Sequence, residues 1–125
     1  MWARARQVAP VKVMLHCCGG VKQLLPLLIE AGLDAINPVQ ISARGMDAQN
    51  LKREFGRDLV FWGGGCDTQH VLPSARLDEI QTHVRQQCHA LAPDGGFVFQ
   101  QVHNILGNVP PANIIAMYDA VRSYS

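Results

Sequence analysis

Apolar and polar positions along this chain alternate between two periods. Short apolar runs at residues 11–15, 33–37, 59–62 and 97–100 have the length of strands, and between them apolar residues recur every three or four positions, as on one face of a helix. After the first run, Val21, Leu24, Leu25, Leu27, Leu28 and Ile29 keep helical spacing, with Pro26 among them. Proline is poorly placed in a helix interior and well placed in a first turn, so the spacing predicts either a kink at Pro26 or a helix that starts there and stops at Gly32. Asp47 is an expected N-cap for a helix over 48–55, with Met46 and Leu51 as a hydrophobic staple and Gly56 closing it. The run 59–62 is apolar throughout, as in a strand buried on both faces. A helix over 76–91 follows, with Leu77, Ile80, Val84, Cys88 and Leu91 on one stripe and Asp78 and Glu79 near the positive end of its dipole. His83 and His89 fall off that stripe and are read as solvated. In the last helix Ile114, Ile115, Tyr118 and Val121 repeat at helical intervals as one stripe, and residues 1–9 read as the tail of a preceding helix.

Strand, loop and helix thus alternate four times, the pattern of a parallel sheet with right-handed crossovers. In such α/β folds ligands gather at the carboxyl ends of the strands. Those ends here carry His16 and Cys18, Asn37 and Gln40, Asp67 to Gln69, and His103 and Asn104, whereas the opposite ends carry ordinary turn and charged residues. The asymmetry marks Asn37, Gln40, Asp67, Thr68, Gln69 and Asn104 as candidate substrate-binding residues. Asp67 and Thr68 have a structural reading as well, capping the loop behind the glycines at 63–65. In an extended segment residues i and i+2 project to the same side, so the imidazole of His16 and the thiol of Cys18 can share one borderline-soft cation such as zinc. The competing reading is two small thiols and a capped histidine filling a strand end. Cys17 points the other way and reads as packing.

Size and composition narrow the classes. The chain has 125 residues, 48% of them hydrophobic, and no apolar run approaches the ~20 residues needed to cross a membrane. The start lacks the charged and apolar regions of a secretion signal, so the expected compartment is cytoplasmic. A net charge of +1 from scattered residues argues against a nucleic-acid or lipid surface. The four cysteines are too irregularly spaced for a disulfide framework and read as thiols.

The segments His16-Cys17-Cys18-Gly19, Glu30-Ala31-Gly32-Leu33-Asp34, Asn37-Pro38-Val39-Gln40, Gly45-Met46-Asp47, Phe61-Trp62-Gly63-Gly64 with Asp67-Thr68-Gln69, and Val102-His103-Asn104-Ile105 resemble, in that order, the uroporphyrinogen decarboxylase superfamily. The resemblance implies a TIM barrel, (β/α)8, of which residues 1–125 are the C-terminal half, four consecutive β/α units. Two chemistries live in the superfamily. Its decarboxylases remove acetate-arm carboxyl groups from a tetrapyrrole in porphyrin biosynthesis without a cofactor, using acidic and arginine residues of the N-terminal half, and His103 matches their cleft histidine. The other branch is the corrinoid methyltransferase type, in which zinc on a His-x-Cys pair and a later cysteine activates a thiol. His16 and Cys18 match that pair. No cysteine follows the last strand, so the third ligand would be His103, with Cys66 as the other option. His103 is therefore the candidate catalytic residue in one branch and a metal ligand in the other; its structural reading is a histidine hydrogen-bonded at the barrel mouth.

Zinc-assisted methyl transfer is the favoured expectation for the full-length form, with cofactor-free decarboxylation and a non-catalytic α/β small-molecule binding module as alternatives. The expected ligand is a small molecule: a tetrapyrrole, a corrinoid or a methylated compound. Half a barrel leaves two strand edges and its inner face bare, so the expected partner is a missing N-terminal half-barrel or a second copy, and the fragment alone is expected to lack activity.

Overall fold

Each apolar run yields a short strand: β1 (Met14–His16), β2 (Ala35–Asn37), β3 (Val60–Trp62) and β4 (Phe97–Val98). In the computed structural model, which describes residues 2–124, they form one sheet in chain order, every pair parallel. Met14 lies opposite Ala35 and His16 opposite Asn37, while Phe61 and Trp62 face Phe97 and Val98. Pairing resumes beyond the strands at Cys66 and Gln101. The helices are α1 (Trp2–Val8), α2 (Leu25–Glu30), α3 (Ala48–Phe55), α4 (Leu77–Leu91) and α5 (Pro111–Arg122). Neighbouring parallel strands in chain order, joined through helices, are four consecutive units of a (β/α)8 barrel.

Local chemistry accounts for where each element begins and ends. Pro26 takes the first turn of α2, behind a 3-10 turn at Lys22–Leu24, so the helix starts there and is not kinked. Its end is a Schellman motif: Leu33 N–H donates to Leu28 O at 2.9 Å and Gly32 N–H to Ile29 O at 2.8 Å. Gly32 sits at φ +102°, a conformation that side chains resist. Asp47 caps α3 by accepting from Asn50 N–H at 2.9 Å, and Met46 and Leu51 are both buried in the same cluster.

β1 begins later than the apolar run suggests, because the residues before it are tied down by a carboxylate. Val13 N–H donates to Asp34 Oδ2 at 2.6 Å, and Asp34 also pairs with Arg6 and, at 3.5 Å, with Lys12. That backbone donor and the two cations hold the Asp34 carboxyl below its ordinary range. The cluster fastens α1 to the amino-terminal end of the sheet, away from the candidate rim.

The core has two parts. One, with Leu25, Ile36, Leu51 and Phe61, lies between the sheet and α2 and α3; the other, with Leu72, Ile80, Val84 and Met117, joins α4 to α5. α5 buries Asn113, Ala116, Met117 and Ala120. This corrects the expected stripe: Ile115 and Tyr118 are 61% and 47% exposed. The small residues allow α5 to approach α4 closely, and Asn113 is held by donating to Leu72 O at 2.8 Å. The other sheet face is open, with Met14, Trp62 and Val98 exposed to 47%, 37% and 37%. No helix among the described residues is long and apolar enough to cross a membrane.

Candidate functional site

β1 ends on His16, and the two residues that follow keep enough extension for Cys18 to return to the same side. The His16 Nε2 and Cys18 Sγ atoms are 3.7 Å apart. β4 and the bridged residue Gln101 deliver His103 to the same rim, where its ring centroid lies 6.1 Å from that of His16 with the planes at 82°. One donor atom from each of His16, Cys18 and His103 lies within 4.8 Å of the others, and all three side chains are exposed. Two residues separated by most of the chain thus meet because parallel strands carry them to one end of the sheet.

Beside this cluster is a cleft of about 610 Å³ lined by Cys18, Gln40, Thr68, Gln69, Val102, His103 and Asn104, together with Pro73, Leu106 and Asn108. Its walls are held by amides. Gly19 N–H donates to Gln40 Oε1 at 2.7 Å, which secures the turn carrying Cys18. Gln69 Oε1 accepts from Ser42 Oγ at 3.1 Å and, more weakly, from Gln40 Nε2 at 3.4 Å. No Lys, Arg, Asp or Glu is among the residues lining the cleft.

Asp67 is buried, and its carboxylate serves its own loop: Oδ1 accepts from Gln69 N–H at 2.8 Å and Oδ2 lies 3.0 Å from His70 Nδ1. It supports Thr68 and Gln69 from behind and does not line the cleft. Asn37 is likewise committed to internal bonds. Its Oδ1 lies 2.7 Å from His16 Nδ1, and its Nδ2 donates to Trp62 O at 3.0 Å and to Gln100 Oε1 at 3.2 Å. Asn104 lines the cleft and also donates its backbone N–H to His103 Nδ1 at 2.7 Å.

Two expectations are corrected. Cys66 cannot stand in as a ligand: its thiol is fully buried in the α4–α5 core, and burial with Asp67 nearby pushes it up to about 12. Cys17 packs against the first core cluster, as its parity implies. His83 is not a solvated residue. It is half-buried, accepts from Asp67 N–H at 3.2 Å, and burial lowers its pKa. His89 is exposed and meets Tyr124 edge-on at 5.0 Å. Sequence reasoning overlooked Gln100 and Ser42 as well as Leu106 and Asn108, which also line the cleft. Gln100 had a legible signal, a polar residue two positions beyond Val98 and so of the same strand parity.

Comparison with known proteins agrees with this architecture. A methyltransferase from Methanosarcina mazei superposes with a TM-score of 0.71 at 18% sequence identity, over 90% of this chain and 31% of that one. The chain therefore spans about a third of that protein's length, and the likeness is one of fold. No curated protein matches the sequence. The family model for uroporphyrinogen decarboxylase (URO-D) matches residues 1–124, and the chain accordingly belongs to the uroporphyrinogen decarboxylase family.

Proposed function

We propose that these residues form the zinc-binding end of a methyltransferase site, with His16, Cys18 and His103 as protein ligands. The carrying observation is the mutual approach of their three donor atoms, within 4.8 Å. Imidazole and thiol are the donors that this ion takes, and the His16–Cys18 pair already has the spacing it requires. With zinc–nitrogen bonds of about 2.0–2.1 Å, a zinc–sulfur bond of about 2.3 Å and a tetrahedral angle, nitrogen and sulfur stand about 3.6 Å apart; His16 Nε2 and Cys18 Sγ are separated by 3.7 Å. Three protein ligands leave a fourth position for substrate. Bound there, zinc would favour the thiolate form of a substrate thiol, the form that accepts a methyl group. The chain's own part is to hold the ligands with Gln40 and Asn37 and to present the neutral wall of Thr68, Gln69 and Asn104 to the substrate. The methyl donor and the rest of the cleft belong to the longer architecture that this chain covers in part.

A second reading is cofactor-free decarboxylation, and one contact favours it. His103 Nδ1 accepts from Asn104 N–H, which leaves the proton of a neutral ring on Nε2, where it can hydrogen-bond a substrate carboxylate and orient the C–CO2 bond for cleavage, with the proton that replaces carbon dioxide on carbon coming from water. Metal content separates the readings. Purified protein is expected to hold close to one zinc per chain by elemental analysis and to lose it in His16→Ala and in Cys18→Ala. A wild-type chain that stays metal-free at saturating zinc overturns the methyltransferase reading.

A further inference from the structure

We infer that Asn37 is a positioning residue that sets the tautomer of His16 and so turns its Nε2 lone pair toward Cys18. The Trp62 carbonyl oxygen can only accept a hydrogen bond, so the Asn37 atom 3.0 Å from it is the amide nitrogen. The same nitrogen reaches Gln100 Oε1 at 3.2 Å, which gives the second amide proton a partner. Asn37 Oδ1 is thereby turned to His16 Nδ1 at 2.7 Å and can only accept. His16 must carry its proton on Nδ1. A neutral imidazole has a single N–H, so Nε2 keeps its lone pair, and that atom faces Cys18 Sγ at 3.7 Å.

Free neutral imidazole side chains favour the Nε2–H form, so the chain Trp62 O, Asn37, His16 works against the default. His103, whose Nδ1 accepts from Asn104 N–H, is held in the opposite tautomer across the same rim. The two histidines therefore differ before any ligand arrives: His16 offers its Nε2 lone pair at once, whereas His103 offers an N–H and reaches a metal only by moving its proton from Nε2 to Nδ1, which gives up the Asn104 contact. The benefit to metal binding rests on the reading above; the tautomers do not.

Nitrogen-15 NMR of the full chain, in chelator and at a pH where the rings are neutral, reads both tautomers directly. The expected result is Nδ1–H for His16 and Nε2–H for His103 in the wild type, reversion of His16 to mainly Nε2–H in Asn37→Ala, and retention of Nδ1–H in Asn37→Asp, which keeps the accepting oxygen. A wild-type His16 in the Nε2–H form, or an Asn37→Ala spectrum unchanged at His16, overturns the assignment. If Asn37→Ala does not fold, the wild-type and Asn37→Asp spectra still decide it. In a chelator competition, zinc affinity is expected to fall about 10- to 100-fold in Asn37→Ala. A wild type with the expected tautomers and no zinc affinity defeats the metal reading alone.

Discussion

Single residues at the back of the rim connect stability to pH. His83 accepts a hydrogen bond from the Asp67 backbone, and it can do so only when neutral; burial lowers its pKa, partly offset by the Asp67 charge. Its folded value therefore lies below the usual 6.5. Between the two values the unfolded chain binds more protons, so the contribution of His83 is complete above the unfolded value and is lost as the pH falls toward the folded one. Melting temperature is expected to drop as the pH falls through and below the unfolded value of 6.5, and His83→Gln, which keeps an acceptor without titrating, is expected to flatten that drop. A pH profile identical in the variant would assign the loss to other groups. The sequence pattern put His83 off the apolar stripe of α4, which was correct, but off-stripe positions are solvated only where no loop crosses them. Here the 63–70 loop does.

At the scale of elements, the loop after β3 is what converts a strand end into one wall of the cleft. Gly64 adopts φ +83°, and a Cβ there would lie 2.8 Å from the Val39 Cβ. Both strain and contact oppose any side chain, so Gly64→Ala is expected to cost about 1–3 kcal/mol, measurable by urea denaturation. The same substitution should displace Thr68 and Gln69, whose positions follow from that turn. Helix ends were legible in the residues: Asp47 and Gly32 perform the capping that their types predict. The buried face of α5 was not, because alanine and asparagine carry little apolar signal. It was settled by how closely α4 lies and by the Leu72 carbonyl that Asn113 satisfies.

The whole molecule presents an open sheet face and two unpaired strand edges, at β1 and β4. Met14, Trp62 and Val98 share that face, where apolar side chains in a closed barrel would be layered against those of other strands. The isolated 125-residue chain is expected to self-associate with rising concentration in light scattering, and Trp62→Glu, which places a charge in the middle of the face, is expected to shift it toward monomer. A monomeric wild type with a cooperative melt at all concentrations would show that the face is tolerated in water. At the rim, His16→Ala and Cys18→Ala are read through metal content, a readout that needs only the side chains gathered there.

Much of this protein is written in local pattern. Four strand-length runs, helical spacing between them and polar residues at each strand's carboxyl end specify parallel β/α units and place the candidate site at one rim, since side-chain periodicity and capping act over a few residues. What a linear pattern cannot carry is which of those polar groups face one another. That His16 and His103 meet while Cys66 is buried, that Asp67 serves its loop, and that Asn37 spends its amide on His16 and Gln100 follow from strand register and loop packing across the sheet. Contacts between residues distant in the chain exist only once the strands have paired.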